Sequence, residues 1–207
     1  IDTGAAYGAP GAYISYINLM EKGYADLLLS VKSTGGHSSR PFGGTSLGRL
    51  SRAIARICAA PFPAALTEPV RGSFRALAPF ITQPPLRELA ADIDANADKI
   101  AEYCLGVPEL FPLVTTTAAP TMIEGGSAAC NVMPQNMTAV INLRLAPGDT
   151  PEHVMEHCRR APLHIVGDVR IGVQREPCSK RRNICSPAES AFAGRCILPS
   201  VRTRRPS

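Results

Sequence analysis

The alternation of apolar and polar residues predicts an α+β fold. The expected architecture is a ferredoxin-like βαββαβ sandwich: a four-stranded antiparallel sheet with two helices on one face, and a helical insertion after the first helix. Three observations lead there. Segments 24–32 and 139–145 alternate with period two, as half-buried strands do. Helix-start signals stand at Thr45 and at Pro151. Between the first helix and the next strand, residues 61–111 change character, with proline clusters at "PFP" and "QPP".

Taken in order, "YADLLLSVK" (24–32) puts Leu27, Leu29 and Val31 on one face and Asp26, Ser30 and Lys32 on the other. "KSTGGHSSRPFGG" (32–44) follows, with His37 set among glycines and serines. Such surroundings suit a solvated loop histidine, and equally an imidazole left free for chemistry. Thr45 is a good N-cap for "SLGRLSRAIARICAA", where Leu47, Leu50, Ile54, Ile57 and Cys58 fall at helical spacing. Arg49, Arg52 and Arg56 line the other face as solvated side chains. Within the insertion, "PLRELAADIDANADKIAEYCLG" reads as one helix with Leu86, Leu89, Ile93, Ile100 and Cys104 on one side and Gly106 as its stop. "LVTTTAAPTMIEGG" (113–126) is rich in β-branched residues and reads as a long strand. In "NMTAVINLRLAPG" (136–148), Ala139, Ile141, Leu143 and Leu145 point one way and Asn142 and Arg144 the other. The turn "PGDT" leads into a short helix at Pro151, and "VRIGVQ" (169–174) is a final weak strand.

Bulk properties narrow the function classes. At 207 residues the chain can hold one large domain or two small ones. It has no tryptophan, which argues against aromatic platforms for nucleic-acid bases. No apolar run reaches the roughly 18 residues that a membrane helix needs. "IDTGAAYGAP" lacks the basic start and apolar stretch of a signal peptide and does not begin with methionine, so the expectation is a chain that begins inside a longer protein. Cysteines 58, 104, 130, 158, 178, 185 and 196 form no C-x-x-C pair; single scattered thiols suit a reducing compartment, and so lean toward the cytoplasm. From Cys178 onward Lys180, Arg181, Arg182, Arg195, Arg202, Arg204 and Arg205 face the single acid Glu189. The +5 net charge of the chain therefore resides in its tail, which reads as a disordered basic end, and the body carries no nucleic-acid footprint.

One motif competes for attention. "HVMEH" (153–157) has the H-x-x-E-H pattern in which His153 and His157 would bind zinc one helical turn apart, with Glu156 as general base. Such a site needs a further glutamate ligand, and only Glu176 and Glu189 follow. Val154 and Cys158 also claim the core side of the helix, leaving both histidines toward solvent. The zinc-protease-like site stands as the alternative reading.

The stretches "EKGYADLLLSVKSTGGHSSRPFGGTSLGRLSRAI" and "TTTAAPTMIEGGSAACNVMPQNMTAVINLRLAPGDTPEHV", with the insertion between them, resemble the lid or dimerisation domain of the two-zinc carboxypeptidase and aminoacylase metallopeptidases, carboxypeptidase S above all. The resemblance covers roughly residues 1–192. It implies a linker from a catalytic domain at 1–23, the lid at 24–176, and a return toward the catalytic domain from 177, at "ICSPAESAF" (184–192), before a divergent tail. It implies zinc, two ions in an intact enzyme, and a homodimer acting on a peptide or N-acyl amino acid. Residue by residue it implies Asp2 of "IDTGAA" as a metal ligand and His37 as the imidazole that crosses the dimer to steady the scissile oxygen. Asn131 of "CNVMPQ" and Arg144 of "NLRLAPG" would hold the substrate's carboxylate. Imidazole suits the first task because it donates where negative charge develops, and a guanidinium binds carboxylate in a fork. The chain has no H-x-D motif and no Glu-Glu pair, so by itself it is expected to be inactive. A purely associative module, pairing through a sheet edge or the Arg49 helix, is the remaining reading.

Overall fold

The structure is a computed structural model that describes residues 7–9, 12–14, 21–160 and 169–174. Its centre is an antiparallel pair: β3 (Gly23–Lys32) runs against β7 (Asn136–Leu145) in unbroken register from Gly23↔Leu145 to Lys32↔Asn136. β5 (Thr117–Gly125) flanks β7 and β8 (Val169–Gln174) flanks β3, giving the sheet order β5-β7-β3-β8. This is the antiparallel order of the ferredoxin-like sandwich that the sequence predicts. Two further short strands, β1 (Tyr7–Ala9) and β2 (Ala12–Ile14), pair with each other.

The period-two alternation sets the faces. Ala25, Leu27, Leu29 and Val31 meet Ala139, Ile141, Leu143 and Leu145 in one buried cluster. Helix α1 (Ser46–Ala59) covers it through Leu50, Ala53 and Ile57. The Thr45 hydroxyl accepts from the Gly48 N–H at 3.0 Å, the expected cap. Helix α6 (Pro151–Arg160) adds Val154 and Cys158 to the same cluster. The stripe on α1 is narrower than expected. Leu47 is 44% exposed and Cys58 is also exposed, because the small Ala53 seats the helix on the Leu50–Ile57 line and turns both flanks outward. Arg49 is not merely solvated either: its Nη2 donates to the Lys32 carbonyl at 3.0 Å, tying the helix to the end of β3.

The insertion builds a second core from Leu66, Phe74, Leu86, Ile93, Ile100, Cys104 and Val114. The single helix expected over 85–106 is two, α3 (Leu86–Leu89) and α4 (Ala97–Leu105). Between them Asp92 accepts from the Ala95 N–H at 3.0 Å; short polar side chains compete for the backbone and break the helix there. A helix absent from the sequence reading, α2 (Glu68–Leu77), carries Phe74 into this core. The strand expected from residue 113 starts at Thr117, because α5 (Phe111–Val114) takes up the preceding residues with Pro112 in its first turn.

The buried thiols report on the two cores. Burial pushes Cys104 and Cys158 up to about 11 from an ordinary 9.0, with Cys58 adding to the shift of Cys158. Folded thiols thus keep their protons to higher pH than unfolded ones, so stability falls as pH rises from about 9 toward about 11. In the folded chain at pH 8, iodoacetamide should alkylate the exposed Cys130 and spare both Cys104 and Cys158, read by peptide mass spectrometry. Rapid labelling of either buried thiol would mean that its core is open.

Candidate functional site: a histidine ribbon and an arginine at opposite ends of the sheet

Beyond Lys32 and Asn136 the central strand pair continues into a small ribbon. β4 (Gly36–His37) pairs with β6 (Val132–Met133), setting His37 opposite Val132. The Ser38 N–H donates to the Asn131 carbonyl at 2.8 Å, which brings the two sequence-predicted residues side by side. The ribbon is pinned from below. Ser33 Oγ and Ser46 Oγ both donate to the Pro134 carbonyl, at 2.8 and 2.6 Å, linking β3, the ribbon and the start of α1. Gly35 has φ +70°, and a Cβ there would stand 2.7 Å from Gln135 Cγ. The glycines around His37 therefore serve the tight crossing of the ribbon.

His37 is exposed, and its ring is oriented. The Ser39 N–H donates to Nδ1 at 3.2 Å, and Ser39 Oγ stands 2.8 Å from the same nitrogen. A backbone amide can only donate, so Nδ1 is an acceptor and the neutral ring carries its proton on Nε2. Nε2 is then the nitrogen that can offer a hydrogen bond to an incoming oxygen. Ser39 was not singled out in the sequence; its signal was the serine pair directly after the histidine.

Arg144 lies at the other end of the same strand. It is exposed on the sheet face away from the helices, opposite Tyr24 on β3 and Thr117 on β5. The strand from Asn136 to Arg144 spans about 27 Å, so within one chain Arg144 does not meet His37 or Asn131. Near it, Lys22 Nζ donates to the carbonyls of Pro112 and Thr115 at 2.8 and 2.6 Å. Burial pushes this lysine below the usual range, Arg144 adds to the shift, and Asp149 opposes both.

Asp2 lies outside the described residues. Of the H-x-x-E-H residues, His153 is exposed with Nδ1 3.1 Å from Asp149 Oδ1, while His157 packs against Phe62 with ring centroids 4.5 Å apart. His157 is thus half-buried rather than solvated, and the two imidazoles are engaged in different places. Among the described residues no group of three or more His, Cys, Asp or Glu side chains could hold a metal ion. The described residues therefore do not fit a zinc centre. Among them, too, no helix is long and apolar enough to cross a membrane.

A family profile for the peptidase dimerisation domain matches residues 19–162. The chain belongs to that family. The chain is 32% identical over 178 residues to a probable carboxypeptidase S-like protein of Dictyostelium discoideum, covering 84% of the chain and 31% of the relative. It is 31% identical over 160 residues to the mouse N-fatty-acyl-amino acid synthase/hydrolase PM20D1, covering 74% of the chain and 31% of the relative. The domain thus spans about a third of the length of these curated relatives. Among solved structures it is similar to a metallo-carboxypeptidase of Sulfolobus solfataricus, at 19% identity and TM-score 0.43, covering 73% of this chain and 42% of that one. Human carnosine dipeptidase 1 matches at 16% identity and TM-score 0.42, covering 74% and 36%. The comparisons thus show a peptidase dimerisation domain.

The hydrogen bonding at His37 makes a direct prediction. Nitrogen-15 NMR of the neutral ring should show the Nε2–H tautomer for His37, and Ser39→Pro, which removes both the amide donor and the hydroxyl at Nδ1, should shift the tautomer balance. A native Nδ1–H tautomer would contradict the assignment.

Proposed function

We propose that this domain forms a homodimer through the β5 edge and that the dimer completes a substrate-orienting site from two chains. β5 is the outer strand beside β7, and it exposes apolar side chains on both faces, Ile123 at 55% and Met122 at 40%. An unpaired edge with apolar flanks is a template for a second copy, and a two-fold makes that pairing antiparallel. Antiparallel pairing exchanges ends. The Gly125 end of one β5, next to the His37 ribbon, then lies by the Thr117 end of its partner, next to the partner subunit's Arg144. The separation of His37 and Arg144 within one chain is the observation that carries the reading, since a two-fold brings them to the same end.

In the intact enzyme, a peptide or N-acyl amino acid would be gripped between them. Arg144 holds the terminal carboxylate with its planar fork. His37 of the partner subunit donates from Nε2 to the scissile carbonyl oxygen, where negative charge develops; such a donor contributes about 3 kcal/mol to the barrier reduction. Asn131, joined to His37 through the Ser38 bond, adds an amide at the same end. In an intact enzyme the catalytic portion would hold the paired zinc ions, with Asp2 as one ligand, and the ions would supply an activated water. The chain alone orients substrate and does not hydrolyse it. A fatty-acyl amino acid and a dipeptide both present the carboxylate that Arg144 would take, so the two kinds of relative are compatible with one lid.

Sedimentation velocity across a concentration series tests the assembly. The domain should form a concentration-dependent dimer. Ile123→Lys, which puts a charge on the proposed seam without touching either core, should weaken dimerisation by about 2 kcal/mol or more. A monomer at every concentration, or a dimer indifferent to Ile123→Lys, would remove the basis of the composite site.

A further inference from the structure

A lone arginine on an open strand face has many rotamers and no reason to keep one. Arg144 has a reason. It stands directly opposite Tyr24 in the β3–β7 register, and its guanidinium carbon lies over the Tyr24 ring, 5.1 Å from the ring centre. In the next row of the same face Asp26 stands opposite Asn142. The Tyr24 hydroxyl donates to Asp26 Oδ2 at 2.8 Å, and the Asn142 amide donates to Asp26 Oδ1 at 2.9 Å. Asp26 is only 1% exposed. A buried carboxylate is costly unless its oxygens are hydrogen-bonded, and here both are.

We propose that Tyr24 and Asp26 are positioning residues for Arg144. Asp26 tethers the tyrosine hydroxyl, and the tethered ring holds the guanidinium from one side by cation–π attraction. A ring leaves the N–H fork unspent, whereas an acid in the Tyr24 position would occupy it. Asp26 is itself held in place by the Tyr24 hydroxyl on one oxygen and the Asn142 amide on the other. The arginine is exposed and lies over the ring, one row along the strand pair from the Asp26–Asn142 row. The proposal rests on the reading of Arg144 as the holder of the substrate's carboxylate.

NMR of the chain tests the platform and that reading separately. In the native chain the Arg144 side-chain protons over the ring should be displaced upfield by the ring current. Tyr24→Leu should abolish the displacement. Tyr24→Phe, which keeps the ring and removes only its tether, should reduce it while the backbone amide shifts of β7 stay in place. An Arg144 signal unchanged in Tyr24→Leu overturns the platform, and one unchanged in Tyr24→Phe overturns the role of Asp26. Titration with N-acetyl-L-alanine then follows the Arg144 Nε–H. Binding weakened about threefold in Tyr24→Leu supports the platform. Equal binding in both chains counts against it. Ring-current changes as expected, with an Nε–H that never responds to the acid, would keep the platform and discard the carboxylate reading alone.

Discussion

The antiparallel register between β3 and β7 governs the rest of the molecule. Side chains alternate along a strand, so a slip of one residue would carry Leu27, Leu29 and Val31 out of the core and force Asp26 and Ser30 into it. The register that avoids this also sets the opposite face. It aligns Arg144 with Tyr24 and Asn142 with Asp26, so that a polar arrangement arises as the other side of a hydrophobic one. At the Lys32–Asn136 end, the same two strands run on into the ribbon that carries His37 and Asn131. Both candidate elements of the site are thus fastened to one rigid pair of strands.

The insertion has its own core but is clasped to the Arg144 end of the sheet. Lys22, just ahead of β3, donates to the carbonyls at the end of α5. Thr115 Oγ1 lies 3.2 and 3.1 Å from the carbonyls of Phe62 and Pro63, where the chain enters the insertion. Thr116 Oγ1 donates to Asp149 Oδ2 and accepts from the Ala146 N–H at 2.8 Å. Entry, exit and the turn after β7 are therefore held together by a few polar contacts. Lys22 has exchanged water for carbonyl oxygens, which is why burial lowers its pKa beside Arg144.

The alternating strands and the capped helix were legible because each carries its signal within a few residues: Leu27, Leu29 and Val31 on β3, Ile141, Leu143 and Leu145 on β7, and Thr45 before α1. The insertion was legible only as a region. Its helices are short and packed on one another, so the break at Asp92 and the helical turn before Thr117 depend on tertiary contacts that no local period reports. For the candidate site, motif resemblance singles out His37, Asn131 and Arg144 but says nothing of their arrangement. Adjacency of His37 and Asn131 comes from a two-residue pairing across nearly a hundred positions. Asp26 read as an ordinary polar residue on a strand's wet face; a carboxylate on the central strand of a sheet, two residues from a tyrosine, was the available hint that it needed partners.

The claim that one chain's histidine ribbon works with the other chain's arginine can be measured as a distance. Chains spin-labelled at position 131 are mixed with chains labelled at position 144, so that dipolar coupling between unlike labels arises only across the dimer. A 131–144 distance well below the about 27 Å that separates the two ends within one chain is expected. A longer distance, or mixed dimers with no coupling between the two labels, would contradict it.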